Sequence, residues 1–225
     1  MRRIWALGCL LLLASKLASA QSCRGLAPFS TGTIQVMGEG SVDPESSTLA
    51  AGLGYKLVRG LFTDGSVGTR SSNTFEGSSL VVGATVGYQV ALGNLYFCPV
   101  ASAGLGIGPN KQVGSGEDRS RRSARIGLSA GTVFQGPSQW QVVPTVGLLY
   151  QYQKDQAENN AGTPLFQIAN YYLVSQVGIG MVLRNFSIRP YAELPLSFTE
   201  GDPSVGVSIS VQLGRRSGTD LGPVP

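Results

Sequence analysis

Histidine is absent from all 225 residues. That absence excludes Ser–His and Cys–His nucleophile pairs and the usual zinc sites, which use imidazole as base or ligand. Charge is sparse as well: Asp, Glu, Lys and Arg together make up 13 % of the chain, against a usual ~25 %. Of the 17 basic residues, Arg2, Arg3 and Lys16 fall in the first twenty positions, and setting those three aside leaves 14 against 13 acidic ones. A chain so balanced has no electrostatic footprint for nucleic acid. Beyond residue 20, no window holds the ~18 consecutive apolar residues of a membrane-spanning helix, and helical periodicity is hard to find. Neither a catalytic residue, a cofactor nor a metal ligand set is assigned, and the expected role is non-enzymatic.

What is present is a leader followed by strands. Arg2 and Arg3, the apolar run "IWALGCLLLLAS" and the small residues "ASA" before Gln21 read as a secretory signal peptide over 1–20. Residues 21–32 then form an N-terminal segment, 33–213 the folded body and 214–225 a C-terminal tail. Within the body, "LVVGATVGYQV" (80–90) alternates without a slip, and ten segments read as strands: 33–42, 48–57, 60–70, 79–90, 95–108, 124–135, 140–153, 171–183, 186–198 and 204–213. The first and third alternate less cleanly, and eight strands result if both are set aside. Connections after the even strands are tight, such as "VR" (58–59) and "RN" (184–185). Those after strands one, three, five and seven are longer, up to "KDQAENNAGTPLFQIAN" (154–170). Tight turns on one side and long loops on the other, with an even count, is the layout of a transmembrane β-barrel.

Glycine decides which face is outside. In the seven clearer strands, leaving out the first, third and ninth, thirteen glycines, among them Gly54, Gly87, Gly127, Gly147 and Gly180, fall on the parity opposite to the Leu/Val rows. Glycine weakens a strand interior, so its confinement to one face needs a cause. The crowded inside of a small cylinder supplies one, and the apolar rows then face lipid. Aromatic residues of the lipid-facing parity agree: Tyr55, Tyr88, Phe97, Phe134, Trp140 and Phe186 lie near the tight-turn ends, and Tyr150, Tyr152, Tyr171 and Phe198 near the long-loop ends. Two belts at opposite ends match the two bilayer interfaces. Pro99, Pro144, Pro190 and Pro195 sit inside the proposed strands, where each removes a ladder donor and is expected to mark a bulge or a strand end.

In segments such as "LVVGATVGYQV", "PVASAGLGIG" and "IRPYAELPLSF", the chain resembles the outer membrane protein β-barrel domain family of Gram-negative bacteria. The resemblance covers residues 33–213 and rests on a repeating style rather than a specific motif. It implies an all-β fold with a single antiparallel transmembrane barrel, placed in the outer membrane, and no particular activity. Family members commonly close the last strand on an aromatic residue, whereas strand ten here ends at Leu213 and "GRRSGTDLGPVP" follows.

An even-stranded barrel with tight periplasmic turns puts both termini in the periplasm. Cys23 and Cys98 are the cysteines left after the leader, in an oxidising compartment, and Cys98 lies on the inward parity just past the turn 91–94. A Cys23–Cys98 disulfide is expected, folding the N-terminal segment into or across the periplasmic mouth, with two unpaired thiols as the alternative. Such a bridge is worth on the order of 3–4 kcal/mol. Glu39, Lys56, Arg189, Tyr191 and Glu193 face inward, as a polar network filling the lumen or as a pathway for ions and small solutes. Barrels of about eight strands are filled by side chains and open aqueous channels appear near sixteen, which favours the network. Lys111, Arg119, Arg121, Arg122 and Arg125 form a basic cluster read as a surface loop, either simply solvated, which is the safer reading, or paired with lipopolysaccharide phosphates or an anionic partner. Loops 109–123 and 154–170 are the places for an extracellular ligand or protein. The expected function is a structural or loop-displaying outer-membrane barrel. The alternatives are a narrow passive channel and a soluble secreted β-protein whose Leu/Val rows form a dry core.

Overall fold

Period-two alternation places every second side chain on one face of a strand, and here that single rule builds the wall. The computed structural model describes residues 22–26, 33–58, 60–72, 77–108, 118–136, 140–159, 163–197 and 201–213. The leader and the C-terminal tail lie outside them. The strands are β1 (Ile34–Val42), β2 (Ser46–Val58), β3 (Leu61–Ser72), β4 (Ser78–Tyr88), β5 (Val90–Leu92), β6 (Leu95–Ile107), β7 (Asp118–Thr132), β8 (Phe134–Gln135), β9 (Trp140–Glu158), β10 (Pro164–Leu183), β11 (Phe186–Pro195) and β12 (Ser204–Leu213). Gln89 interrupts one stave between β4 and β5, and Val133 another between β7 and β8, so ten staves make the barrel. Each stave pairs antiparallel with its sequence neighbour. β12 returns to β1, with Ile34 opposite Leu213 and Val42 opposite Val205, and the sheet closes on itself. Closure satisfies the backbone donors and acceptors within the wall, the condition for crossing hydrocarbon with strands.

The burial pattern identifies the outside. Leu49 is 69 % exposed, Leu53 61 % and Ile126 63 %, whereas the inward Phe62 and Gln35 are 0 % exposed. A soluble sandwich buries its Leu/Val rows between two sheets; here those rows coat the exterior, and the dry-core alternative is overturned. Tyr55, Tyr88, Phe134, Trp140 and Phe186 lie exposed at the tight-turn end. At the opposite end the Tyr171 ring lies 5.0 Å from that of Tyr152 and 6.4 Å from that of Tyr150. Phe198 is outside the described residues.

Sequence and structure differ at the outer end. β7 starts six residues before the predicted strand, β9 runs on to Glu158 and β10 begins at Pro164, so most of the predicted loop 154–170 is a hairpin. Above the membrane both faces of a strand meet water, and the apolar alternation that reveals a strand disappears while its hydrogen bonds persist. The β1–β2 connection is also tighter than expected. A side-chain oxygen of Asp43 accepts from the Glu45 N–H at 2.9 Å and the other from the Ser46 hydroxyl at 2.7 Å, closing a compact turn. Pro99, Pro144 and Pro190 lie within β6, β9 and β11, and Pro195 ends β11. At each of the first three, pairing lapses on one side: at Pro99 between Gly87–Val100 and Val90–Phe97, at Pro144 between Gly131–Thr145 and Phe134–Val142, and at Pro190 between Gly178–Tyr191 and Met181–Ile188 of the β10–β11 ladder. Lacking an N–H, a proline cannot complete the ladder there.

Candidate functional site

The lumen is where the chain concentrates its polar chemistry, because the inward parity carries residues the outside excludes. Its tight-turn end is occupied by the N-terminal segment. Ser22–Arg24 forms a single 3-10 turn, and a Cys23–Cys98 disulfide with Cα atoms 6.0 Å apart ties it to β6. Both cysteines are buried with Phe62, and Tyr96 and Val100 pack against them. Gly87 makes room for this cluster, since a Cβ there would stand 2.4 Å from the Phe62 ring. Arg24 donates to Asp64 of β3 at 2.5 Å, and its guanidinium lies 5.6 Å from the Phe62 ring centroid. Gly25 then crosses to the far wall, against Gly180 and the Arg189 side chain, at the level where the β10–β11 ladder lapses. Anchored to β6, the segment thus spans the lumen from Asp64 on β3 to Gly180 on β10 as a plug.

Above the plug the inward side chains bond one another. Tyr191 of β11 lies over Gly206 of β12 and donates its hydroxyl to Glu39 of β1. Arg189 donates to Gln176 at 2.8 Å and stacks 5.1 Å from the Tyr191 ring centroid. Gln176 donates to Glu193 at 2.8 Å, and Glu193 accepts from Arg125 at 2.9 Å. Glu39, Arg125, Gln176, Arg189 and Glu193 frame a cavity of about 200 Å³ lined also by Arg24, Asp64 and Ser208. Further toward the outer end, Gln151 donates to Tyr172 at 2.7 Å and to Gln153 at 3.3 Å, Gln153 to Asp155 at 2.9 Å, and Arg121 grips Asp155 with two bonds of 2.5 and 3.2 Å. At the tight-turn end, Gln35 donates to Ser210 at 2.7 Å, and Ser210 is 2.6 Å from Ser187.

The structure therefore brings Glu39, Arg189, Tyr191 and Glu193 into one chain of contacts, hydrogen bonds on either side of the Arg189–Tyr191 stack. Lys56 is buried apart from them, opposite Phe62 near the plug. The basic cluster is corrected: it is not one surface loop. From residue 118 it is strand β7, and alternation deals its members to opposite faces of the wall. Arg121 and Arg125 point inward to Asp155 and Glu193, and Arg119 stacks 5.7 Å from the Phe166 ring centroid. Arg122 alone is on the outward face, and Lys111 lies outside the described residues. Sequence reasoning missed Arg24, Asp64 and Gln176. Gln176 carried a signal, the inward parity of a clear strand; Arg24 sits in a segment with no periodicity.

Glu193 is the shared acceptor of Arg125 and Gln176. Replacing it with alanine (E193A) leaves Arg125 facing a low-dielectric lumen without its carboxylate. Breaking a buried ion pair costs about 3–5 kcal/mol, and partial exposure of Arg125 moves the expectation to about 2–3 kcal/mol. Urea unfolding in lipid vesicles measures it; a cost below about 1 kcal/mol, the value of an exposed pair, shows that water carries this network instead.

No protein-family model matches the chain, and no curated protein sequence does. Solved structures do match by shape. The translocator domain of the autotransporter NalP from Neisseria meningitidis is 12 % identical with a TM-score of 0.54, over 85 % of this chain and 91 % of that one. The N-terminal β-barrel domain of OprF from Pseudomonas aeruginosa is 10 % identical with a TM-score of 0.35, over 81 % and 98 %. Neisserial surface protein A is 14 % identical with a TM-score of 0.39, over 80 % and 95 %. At 12 % identity the likeness to NalP is one of fold alone: a closed transmembrane β-barrel.

Proposed function

We propose that this chain is an integral outer-membrane barrel whose lumen is closed from the periplasmic side and whose role is structural and non-enzymatic, displaying its outer hairpins for interaction. The observation that carries this reading is the N-terminal segment lodged across the lumen, fastened by Cys23–Cys98 at one wall and packed on Gly180 at the other. Both chain ends of the barrel lie with the tight turns, the side that faces the periplasm in barrels of this layout. The extensions of β7, β9 and β10 stand at the other end, where Leu165, Phe166 and Ile168 are exposed. They are the surface offered to an extracellular partner.

A second reading, a narrow passive channel, draws on the polar cavity of about 200 Å³. Conductance in planar bilayers separates the two. Oxidised protein is expected to insert without discrete current steps; steps in oxidised protein overturn the closed-barrel reading in favour of the channel. Insertion itself is checked by heat-modifiable migration on a detergent gel, and protein that leaves washed membranes without detergent is not an integral barrel.

A further inference from the structure

Among the described residues, one pair of cations on the outer wall stands without an ion-pair partner. Arg122 of β7 and Lys154 of β9 stand directly opposite each other in register, both on the lipid-facing parity. Arg122 is exposed and Lys154 half-buried. Like charges directly opposite in a sheet repel, and among the described residues neither side chain has an ion pair or hydrogen bond. The nearby carboxylates among the described side chains are engaged: Asp155 faces inward to Arg121, and Glu158 accepts from Gln156, two residues beyond Lys154. The repulsion is fixed in place, because both residues belong to paired strands rather than to a loop.

Their depth gives the pair a meaning. The next outward row toward the membrane is Ala124, Tyr152 and Tyr171, and the row below that is Ile126, Tyr150 and Leu173. Those tyrosines are the outer aromatic belt, which sits at headgroup level. On the other side of Arg122, Leu105 of β6 offers apolar surface, and Ala124 and Ala169 leave room beside the two cations. A guanidinium fork and an ammonium at this level, above an aromatic row and beside an aliphatic one, present two positive charges to one doubly negative group.

We infer that Arg122 and Lys154 form a clamp for the phosphate monoester of an outer-leaflet lipid, whose apolar part lies along Leu105 and the tyrosine row. The inference rests on the bilayer placement proposed above. The full protein, purified in detergent, is titrated with phosphatidic acid and with phosphatidylcholine, and retained lipid is read by native mass spectrometry. Wild-type protein is expected to prefer the monoester lipid by about tenfold, and millimolar inorganic phosphate is expected not to displace it. The R122Q/K154Q double variant loses the preference, R122K/K154R keeps it, and R184Q, at the opposite end of the barrel, leaves it unchanged. Equal preference in the double variant overturns the clamp; so does loss of the lipid to inorganic phosphate, which makes the site a reader of free anion. Should the double variant fail to fold, R122Q and K154Q are measured singly, and unchanged preference in both overturns it equally. Heat-modifiable migration of the wild type is scored alongside: its absence brings down the bilayer placement, whereas its presence with no lipid preference brings down the clamp alone.

Discussion

Removing the tether and filling the notch under the plug is expected to turn a silent barrel into a conducting one. The double change Cys98→Ser with Gly180→Val attacks both holds on the N-terminal segment. At Gly180 a Cβ would stand 2.0 Å from the Gly25 carbonyl oxygen and 2.6 Å from its carbon, so any side chain forces one backbone to move. β10 is the less free of the two, since Gly180 pairs with Val143 inside a ladder of nineteen register pairs with β9. The plug is held at fewer points: the disulfide, the Arg24–Asp64 pair and the packing around Phe62. A bridge closing a loop of 75 residues is worth about 4 kcal/mol in the chain-entropy picture, and its removal leaves the segment to be displaced by the new valine. Planar bilayers should then show discrete steps, smaller than those of a wide porin because the Arg125–Glu193–Gln176–Arg189 chain still crosses the lumen. Wild-type protein treated with reductant tests the same hold without a mutation and should conduct intermittently. A double variant that inserts and stays silent shows that the side-chain network, not the plug, closes the barrel.

The plug was only half legible in the sequence, and the reason is physical. Cys23 and Cys98 announce a link because few other partners exist in an oxidising compartment, and the inward parity of Cys98 directs the bridge to the lumen. Nothing in "QSCRGLAPFS" states that Arg24 reaches Asp64 or that Gly25 meets Gly180, because these contacts join a segment without periodicity to strands far along the chain. The wall itself was legible for the opposite reason. Lipid outside and crowding inside impose two unlike solvents on alternate residues, and the Leu/Val rows against glycine record both. Where that contrast ends the record ends too, which is why the outer hairpin of β9 and β10 reads as loop and why Arg121 and Arg122 read as one cluster although they face opposite ways. β1 and β3, the weakest of the predicted strands, are nonetheless complete staves. Their outward faces carry Gly38, Gly40 and Gly65, which blur the alternation without interrupting the ladder.

An arginine placed on the outer face should be costly in proportion to its depth, and this depth profile is the sharpest test of which solvent surrounds the wall. On β9, Val146 lies six residues from Trp140 and six from Tyr152, the aromatic marks of the two interfaces. Those twelve steps cover about 40 Å along the strand. At a tilt near 45° that is about 28 Å of membrane depth, close to the ~25 Å apolar band of such barrels. Val146 is therefore at the midplane, 54 % exposed, with Ala130 and Val177 beside it on the outer face. The V146R variant is expected to lose about 2–4 kcal/mol, and Y152R at the rim about 0–1 kcal/mol. Both are read by urea unfolding in vesicles and by the heat-modifiable fraction on gels, where V146R should show a large unfolded share. In water the order has no reason to hold, since an exposed valine on a soluble surface exchanges for arginine at little cost. A harmless V146R, or equal costs at the two depths, would mean that the Leu/Val rows do not face hydrocarbon. The outer-membrane reading, the proposed role and the lipid clamp would then lose their common footing.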